Sequence, residues 1–343
     1  MSEDQSPFLK ACRGEKTDYT PIWLMRQAGR YMQEYREVRE RTPFMDLCAN
    51  SDLAAEVTVT AVERIGADAA IIFSDILLIL VPMGMDLTYG KGEGPILGNP
   101  IRSGADVDRL CEAPPEALSF VYEAIRKTRA SLKPETPLIG FCGAPFTLAS
   151  YMIEGGGSRN YAETKTLMYT DSGAWHALMN LVSRSLVKYV KKQIEAGAQV
   201  IQIFDSWVGC LSPEDYREFV FPHVRLLLDS ISGDVPVIHF GTGTATLLDE
   251  QKKAGGDVIG LDWRVNLGET WDRLGNVSVQ GNLDPCTLLG DRETLSKRAG
   301  EILRQAGGRP GHIFNLGHGV LPMTSVDNVK FLIDFVHEWK VDA

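Results

Sequence analysis

The stretch PIWLMRQAGRYMQEYREVRER (residues 21–41) holds Arg26, Arg30, Arg36, Arg39 and Arg41, with no lysine among them. Arginine presents paired, planar donors that fit the oxygens of a carboxylate or phosphate. The chain as a whole is acidic, with 45 Asp and Glu against 35 Lys and Arg and a net charge of −10. That balance excludes a general nucleic-acid surface, and leaves a local arginine cluster pointing at a small anion. Further candidates lie far apart in the chain. They are Ser74 and Asp75 after AAIIF, Tyr151 within GAPFTLASYMIEGGG, Asp205 and Ser206 ending QVIQIFDS, Gly241 and Thr242, Asp262, Asn282 and Asp284, and His318 within NLGHGV. Gathered at one mouth they make a polar site with several arginines, two or three carboxylates, a tyrosine and a histidine. Such a site suits a polyanionic small molecule.

Each candidate also has a plainer reading. Arg36 and Arg41 fit a solvated helix face, paired with Glu37 and Glu40. Arg26 and Arg30 have no acid between them. Asp75 fits the cap of the following segment equally well. Tyr151 taken alone reads as core, whereas a core reading fits His318 less well, because GHG marks a tight exposed turn. Other motifs fail. HFGTGTA lacks the Gly-Lys-Ser/Thr of a P-loop. The six histidines and six scattered cysteines show no metal spacing. There is no GxSxG elbow, and no lysine ends a strand as a Schiff-base candidate.

Elements must bring these residues together. Short apolar runs bounded by turn signals recur at 21–25, 69–75, 137–143, 199–206, 236–241, 258–263, 277–283 and 312–318. Their apolar interiors suit parallel strands covered on both faces. Helical periodicity lies between most of them: a run after Ser51, Ser212-Pro213-Glu214-Asp215 as a capped start, Thr324 with Asp327 as another, and the stretches 161–195 and 287–305. Eight strands alternating with helices predict a (β/α)8 TIM barrel, whose chemistry gathers at the C-terminal strand ends. An open doubly wound sheet is the alternative, but no GxGxxG follows the first strand. Residues 82–115, rich in Gly and Pro, are expected to form an inserted loop or hairpin after strand two. One domain over 1–343 is expected, with residues 1–6 frayed. The polar, acidic start and the shortness of every apolar run predict a cytoplasmic protein without a membrane span.

PIWLMRQAGRY, AAIIFSDIL, GFCGAPFTLASYMIEGGGSRNY, QIFDSW and NLGHGV, in that order, resemble the uroporphyrinogen decarboxylase family from about residue 7 to the C-terminus. The resemblance implies a (β/α)8 barrel acting as a homodimer. It implies removal of the carboxyl groups from the four acetate side chains of uroporphyrinogen to give coproporphyrinogen, in tetrapyrrole synthesis, with no metal or organic cofactor. Position by position it implies substrate contact for Arg26, Arg30, Arg39, Asp75, Tyr151, Ser206 and His318. Catalytic roles would fall to Asp75, Arg26, Arg30 and Tyr151. Family members differ at the residue before the serine, which here is Asp205. A carboxylate there conflicts with an anionic guest, so Asp205 is expected to point away or be paired.

Without a cofactor, the electrons left by CO2 need the substrate's own ring as a sink. The implied route protonates a pyrrole carbon, decarboxylates, then reprotonates the new methyl group. A fixed carboxylate, assigned to Asp75, would stabilise the cation. Two rivals remain in view. A corrinoid-dependent zinc methyltransferase needs a His-x-Cys pair at strand five, where this chain reads His239-Phe240-Gly241. A non-catalytic tetrapyrrole carrier needs the arginines without Asp75.

Overall fold

The computed structural model describes residues 6–90 and 94–340. Its strands are β1 (Ala70–Ile71), β2 (Leu87–Tyr89), β3 (Pro95–Leu97), β4 (Leu138–Gly143), β5 (Val200–Asp205), β6 (Val237–Gly241), β7 (Val258–Gly260), β8 (Ser278–Gln280) and β9 (His312–Ile313). β2 and β3 pair as an antiparallel hairpin between β1 and the helix Ser119–Ser131. The other seven form one parallel sheet in chain order, each beside its successor. Helices join them, as parallel neighbours require. The expected first strand, 21–25, forms no ladder. It makes a single bridge, Ile22 to Phe314. Its backbone nevertheless reaches both edges of the sheet. The Phe314 N–H donates to Pro21 O at 2.8 Å, and the Asp68 N–H, just before β1, donates to Ile22 O at 2.9 Å.

Asp68 fastens that junction with its side chain as well. Its carboxylate accepts from the Ile22 N–H at 2.7 Å and the Tyr19 hydroxyl at 2.8 Å, and lies 2.8 Å from His337 Nε2 on the last helix. Inside the sheet, Trp23 Nε1 donates to Gln280 Oε1 at 2.8 Å, and Gln280 Nε2 to Gln202 Oε1 at 3.2 Å. All three side chains are fully buried, so each polar atom there needs its partner.

Several strands are shorter than their apolar runs. β1 ends early because the Phe73 N–H turns to the Thr58 hydroxyl, at 2.8 Å, rather than to a neighbouring strand. Residues 73–75 are thereby released into the pocket wall. Helix starts differ by a residue where two capping side chains adjoin. Asn50, not Ser51, caps Ser51–Ile65, and Ser325, not Thr324, caps Val326–Glu338. Ser212 caps its helix as expected. The stretch 161–195 is two helices, Ala162–Thr170 and Ser172–Glu195, because Asp171 stops the first and caps the second. Residues 287–305 divide likewise, with Asp291 capping Arg292–Ala306. Of the expected frayed start, residues 1–5 lie outside the described residues. Ser6 is buried, its carbonyl accepting from the Lys10 N–H. Among the described residues no helix is long and apolar enough to cross a membrane.

Candidate active site

At the C-terminal ends of the sheet strands lies an open pocket of about 620 Å³, within the usual range for small-molecule sites. Arg26, Arg30, Arg39, Asp75, Tyr151, Ser206 and His318 all line it. Its depth is apolar and aromatic. Phe204 packs edge-on against Phe141 and Phe240, at centroid distances of 5.6 and 6.1 Å. Among the described residues, three cations and one carboxylate therefore face a cavity with a phenylalanine floor, in a chain whose net charge is −10.

Arg26 follows segment 21–25 directly. Its backbone is left-handed, with φ +62, a conformation that costs an L-residue roughly 1–2 kcal/mol. It is held there because the Met25 N–H donates to Asn315 Oδ1 at 3.2 Å and the Met25 carbonyl accepts from the Val320 N–H at 2.9 Å. The side chain then runs across the face of Gly319. A Cβ at 319 would sit 2.6 Å from Arg26 Cγ and 3.0 Å from Nε. Glycine at 319 is thus a condition of the Arg26 trajectory. Neither Arg26 nor Arg30 makes an ion pair among the described residues. Arg39 lies on the helix Gln33–Arg41, with its guanidinium donating to the Thr42 carbonyl and 5.5 Å from the Phe44 ring centre. The remaining arginines of the cluster are exposed, but not paired with Glu37 and Glu40 as expected. Arg36 donates to the carbonyls of Arg30 and Tyr31, and Arg41 to that of Glu37. Arg36 thereby braces the loop that carries Arg30.

Asp75 meets both of its sequence readings. Oδ1 accepts from the Leu77 N–H at 2.8 Å, capping the next turn, while the carboxylate also lines the pocket. Burial pushes its pKa up. The Leu77 amide, the Tyr89 hydroxyl and the Arg26 charge oppose that push without cancelling it. Tyr89, on β2, lies close enough to influence Asp75 but outside hydrogen-bonding geometry, and its buried hydroxyl has no partner. His318 is held down at about 4 by burial and by the charges of Arg26 and Arg264, so at neutral pH it is an uncharged imidazole.

Other strand-end candidates do not join this pocket. Asp262 accepts from the Gly243 and Arg264 amides and pairs with the Arg264 guanidinium. Asn282 Nδ2 donates to the carbonyls of Asp262 and Val265, and Asp284 caps a short turn at Cys286. Asp205 is fully buried away from the pocket. His239 is buried too, beneath Gly256, while its neighbour Phe240 faces the cavity. No group of three or more potential metal ligands occurs among the described residues.

Sequence reasoning missed Tyr89, Tyr35 and Gly319 as pocket residues, and the phenylalanine floor. Only the floor left a signal, a phenylalanine near the end of three successive strands in GFCG, IFDS and HFG.

The family model described as uroporphyrinogen decarboxylase (URO-D) matches residues 3–339. Similar proteins named uroporphyrinogen decarboxylase include that of Sorangium cellulosum, 53% identical over 333 residues, covering 96% of this chain and 95% of the relative. Another is from Koribacter versatilis, 52% identical over 342 residues, covering 99% and 97%. Among solved structures, a methyltransferase from Methanosarcina mazei superposes with a TM-score of 0.82 at 21% identity, covering 97% and 98% of the two chains. That likeness is one of fold.

Proposed function

The chain belongs to the uroporphyrinogen decarboxylase family, and we propose that its pocket binds uroporphyrinogen III and removes the four acetate carboxyl groups to give coproporphyrinogen III. The observation that carries this reading is the carboxylate of Asp75, alone of its kind among the described pocket residues, facing a cavity with Arg26, Arg30 and Arg39. A guest with eight carboxylates and four pyrrole N–H groups matches both parts. The arginines bind acetate and propionate groups, and Asp75 accepts from the pyrrole N–H groups. The phenylalanine floor takes the hydrocarbon of the macrocycle.

Each cycle replaces CO2 by a proton. A pyrrole carbon is protonated, the C–C bond to the carboxyl breaks into the cationic ring, CO2 leaves, the methylene carbon takes a proton to become methyl, and the ring carbon gives up the proton it took, which restores the aromatic pyrrole. Asp75 stabilises the ring cation from a fixed position, without solvent reorganisation. Its Leu77 hydrogen bond holds it there. An arginine near pH 7 is too basic to be an efficient acid, so Arg26 and Arg30 orient carboxylates. Tyr151, Ser206 and neutral His318 supply hydrogen bonds at the walls. The zinc methyltransferase alternative lacks a ligand here, since Gly241 stands where its His-x-Cys pair would put the thiolate.

The same reading includes one catalytic domain built as a closed eight-stranded barrel, with segment 21–25 as the eighth strand, supported by its hydrogen bonds to both sheet edges. It also includes a homodimer acting in the cytoplasm without metal or organic cofactor. Sedimentation velocity tests the dimer, and metal analysis of the purified protein tests the last point. The decisive experiment incubates the protein anaerobically with uroporphyrinogen and counts carboxyl groups by chromatography. Loss of carboxyl groups is expected, with Asp75→Asn reducing turnover by roughly a hundredfold or more. Binding without loss would make the protein a carrier, and Asp75→Asn at near-normal rate would remove Asp75 from the mechanism.

A further inference from the structure

The turn that follows β5 is fastened at two points to the helix Pro145–Glu154. Asp205 Oδ1 accepts from the Thr147 hydroxyl at 2.8 Å. The same hydroxyl accepts from the Trp207 N–H at 3.2 Å. One turn further along the helix, on the same face, the Tyr151 ring stacks on the Trp207 indole at a centroid distance of 3.7 Å. Tyr161 also packs against Trp207, its ring tilted 59° to the indole at a centroid distance of 5.2 Å. Ser206 sits between the two fastened residues and faces the pocket. Asp205 and Thr147 are both fully buried, and neither can touch substrate.

A backbone N–H can only donate, so the Thr147 oxygen turns a lone pair toward the Trp207 amide. The hydroxyl proton is left for Asp205 Oδ1, which accepts it. The hydroxyl thus has one orientation, and the Trp207 backbone one position. The indole then fixes the plane of the Tyr151 ring by stacking. This gives Asp205 a use that its place beside an anion site does not suggest.

We infer that Asp205, Thr147 and Trp207 are positioning residues that hold the Tyr151 and Ser206 hydroxyls in register for the substrate. The inference rests on the proposed contact of those two hydroxyls with uroporphyrinogen. It predicts that losses at the supporting residues are felt only through Tyr151 and Ser206.

The test measures kcat and KM for uroporphyrinogen on folded protein, with thermal midpoints as controls. Thr147→Val, close in volume but without the hydroxyl, is expected to lower kcat roughly tenfold, and Thr147→Ser to restore most of it. Trp207→Leu removes the stack without touching the buried carboxylate and is expected to cost a similar factor, while Trp207→Phe keeps most of the rate. In a Tyr151→Phe, Ser206→Ala background, Thr147→Val and Trp207→Leu should cost nothing further, the non-additivity expected of coupled residues. Equal losses in both backgrounds would overturn the inference, as would unchanged kinetics for Thr147→Val and Trp207→Leu. If the double background variant itself matched the parent, the proposed hydroxyl contacts would fail first, and the inference with them. If Thr147→Val does not fold, the Trp207 pair carries the same test.

Discussion

Gly319→Ala isolates the path of one side chain. The added methyl would lie 2.6 Å from Arg26 Cγ and 3.0 Å from Nε, and nearer still to Cδ. Ordinary van der Waals contact begins near 3.5 Å, so one partner must give way by about 1 Å. The loop cannot easily do so, because the Val320 N–H is bound to the Met25 carbonyl. The Arg26 backbone is pinned by the same bond and by Asn315. Backbone strain at 319 adds nothing, since its φ lies outside the left-handed region. The Arg26 guanidinium is what moves. A displacement of about 1 Å in a positioning group costs roughly a hundredfold, and loss of one charge-assisted hydrogen bond roughly tenfold or more. The expected result is a 10- to 100-fold fall in kcat/KM for uroporphyrinogen under anaerobic conditions, with the thermal midpoint within a few degrees of the parent. In an Arg26→Ala background, Gly319→Ala should change little. Parental kcat/KM for Gly319→Ala would refute the reasoning, and so would an undiminished effect once Arg26 is gone.

Arg26→Lys keeps the charge and loses the planar fork; kcat/KM should fall about tenfold, and an unchanged rate would make paired-donor geometry irrelevant there. Tyr89→Phe removes a group that lowers the Asp75 pKa, so the acid limb of the kcat/KM profile should move to higher pH. A profile that stayed in place would separate Tyr89 from Asp75. His318, held at about 4, stays neutral over pH 6–8, so His318→Asn should lower kcat/KM without altering the profile in that range. An inflection near pH 6.5 that the substitution abolishes would show an imidazole titrating in the working range. Burial raises the Asp205 carboxyl to about 7 from 3.8. The folded chain then keeps this proton where the unfolded chain has released it, so its contribution to stability is full below about pH 4 and declines as pH rises to 7. Asp205→Asn removes that decline. Its stability relative to the parent in urea should rise between pH 5 and pH 8, by at most about 3 kcal/mol, and a pH-independent difference would place the Asp205 pKa near its ordinary value.

The strand positions were legible because parallel strands buried on both faces read as plain apolar runs. Their ends were less so. Phe73 belongs to its apolar run, but its amide goes to a side chain on a helix fifteen residues earlier, which no local pattern announces. Cap positions slipped at Asn50-Ser51 and Thr324-Ser325 because each pair holds two residues able to cap, and packing chooses between them. The arginine segment was legible as an anion rim, since Arg26 and Arg30 lack local acids. Arg36 and Arg41 sit beside acids in sequence yet bind carbonyls, Arg36 those of the loop at Arg30 and Tyr31, and Arg41 that of Glu37 on its own helix. Tyr89 was illegible because the hairpin folds it back over Asp75 through a tertiary contact. Asp205 looked misplaced only while its partner, Thr147, was unknown.

The bridge between Ile22 and Phe314 has a consequence for how the protein is made. Asp68 can meet Ile22 soon after both are made, but Phe314 follows Ile22 by 292 residues, so the second edge of the segment stays open until β9 is made. Arg26 and Arg30 follow that segment directly. A chain still being made can already hold Asp75, Tyr151 and Ser206 while Asn315 and Val320, which seat the backbone before Arg26, are still to come. On the proposed reading, the anion site is complete only once β9 is in place. A substrate that held Arg26 and His318 together would tie segments far apart in the chain and stabilise the folded protein by mass action.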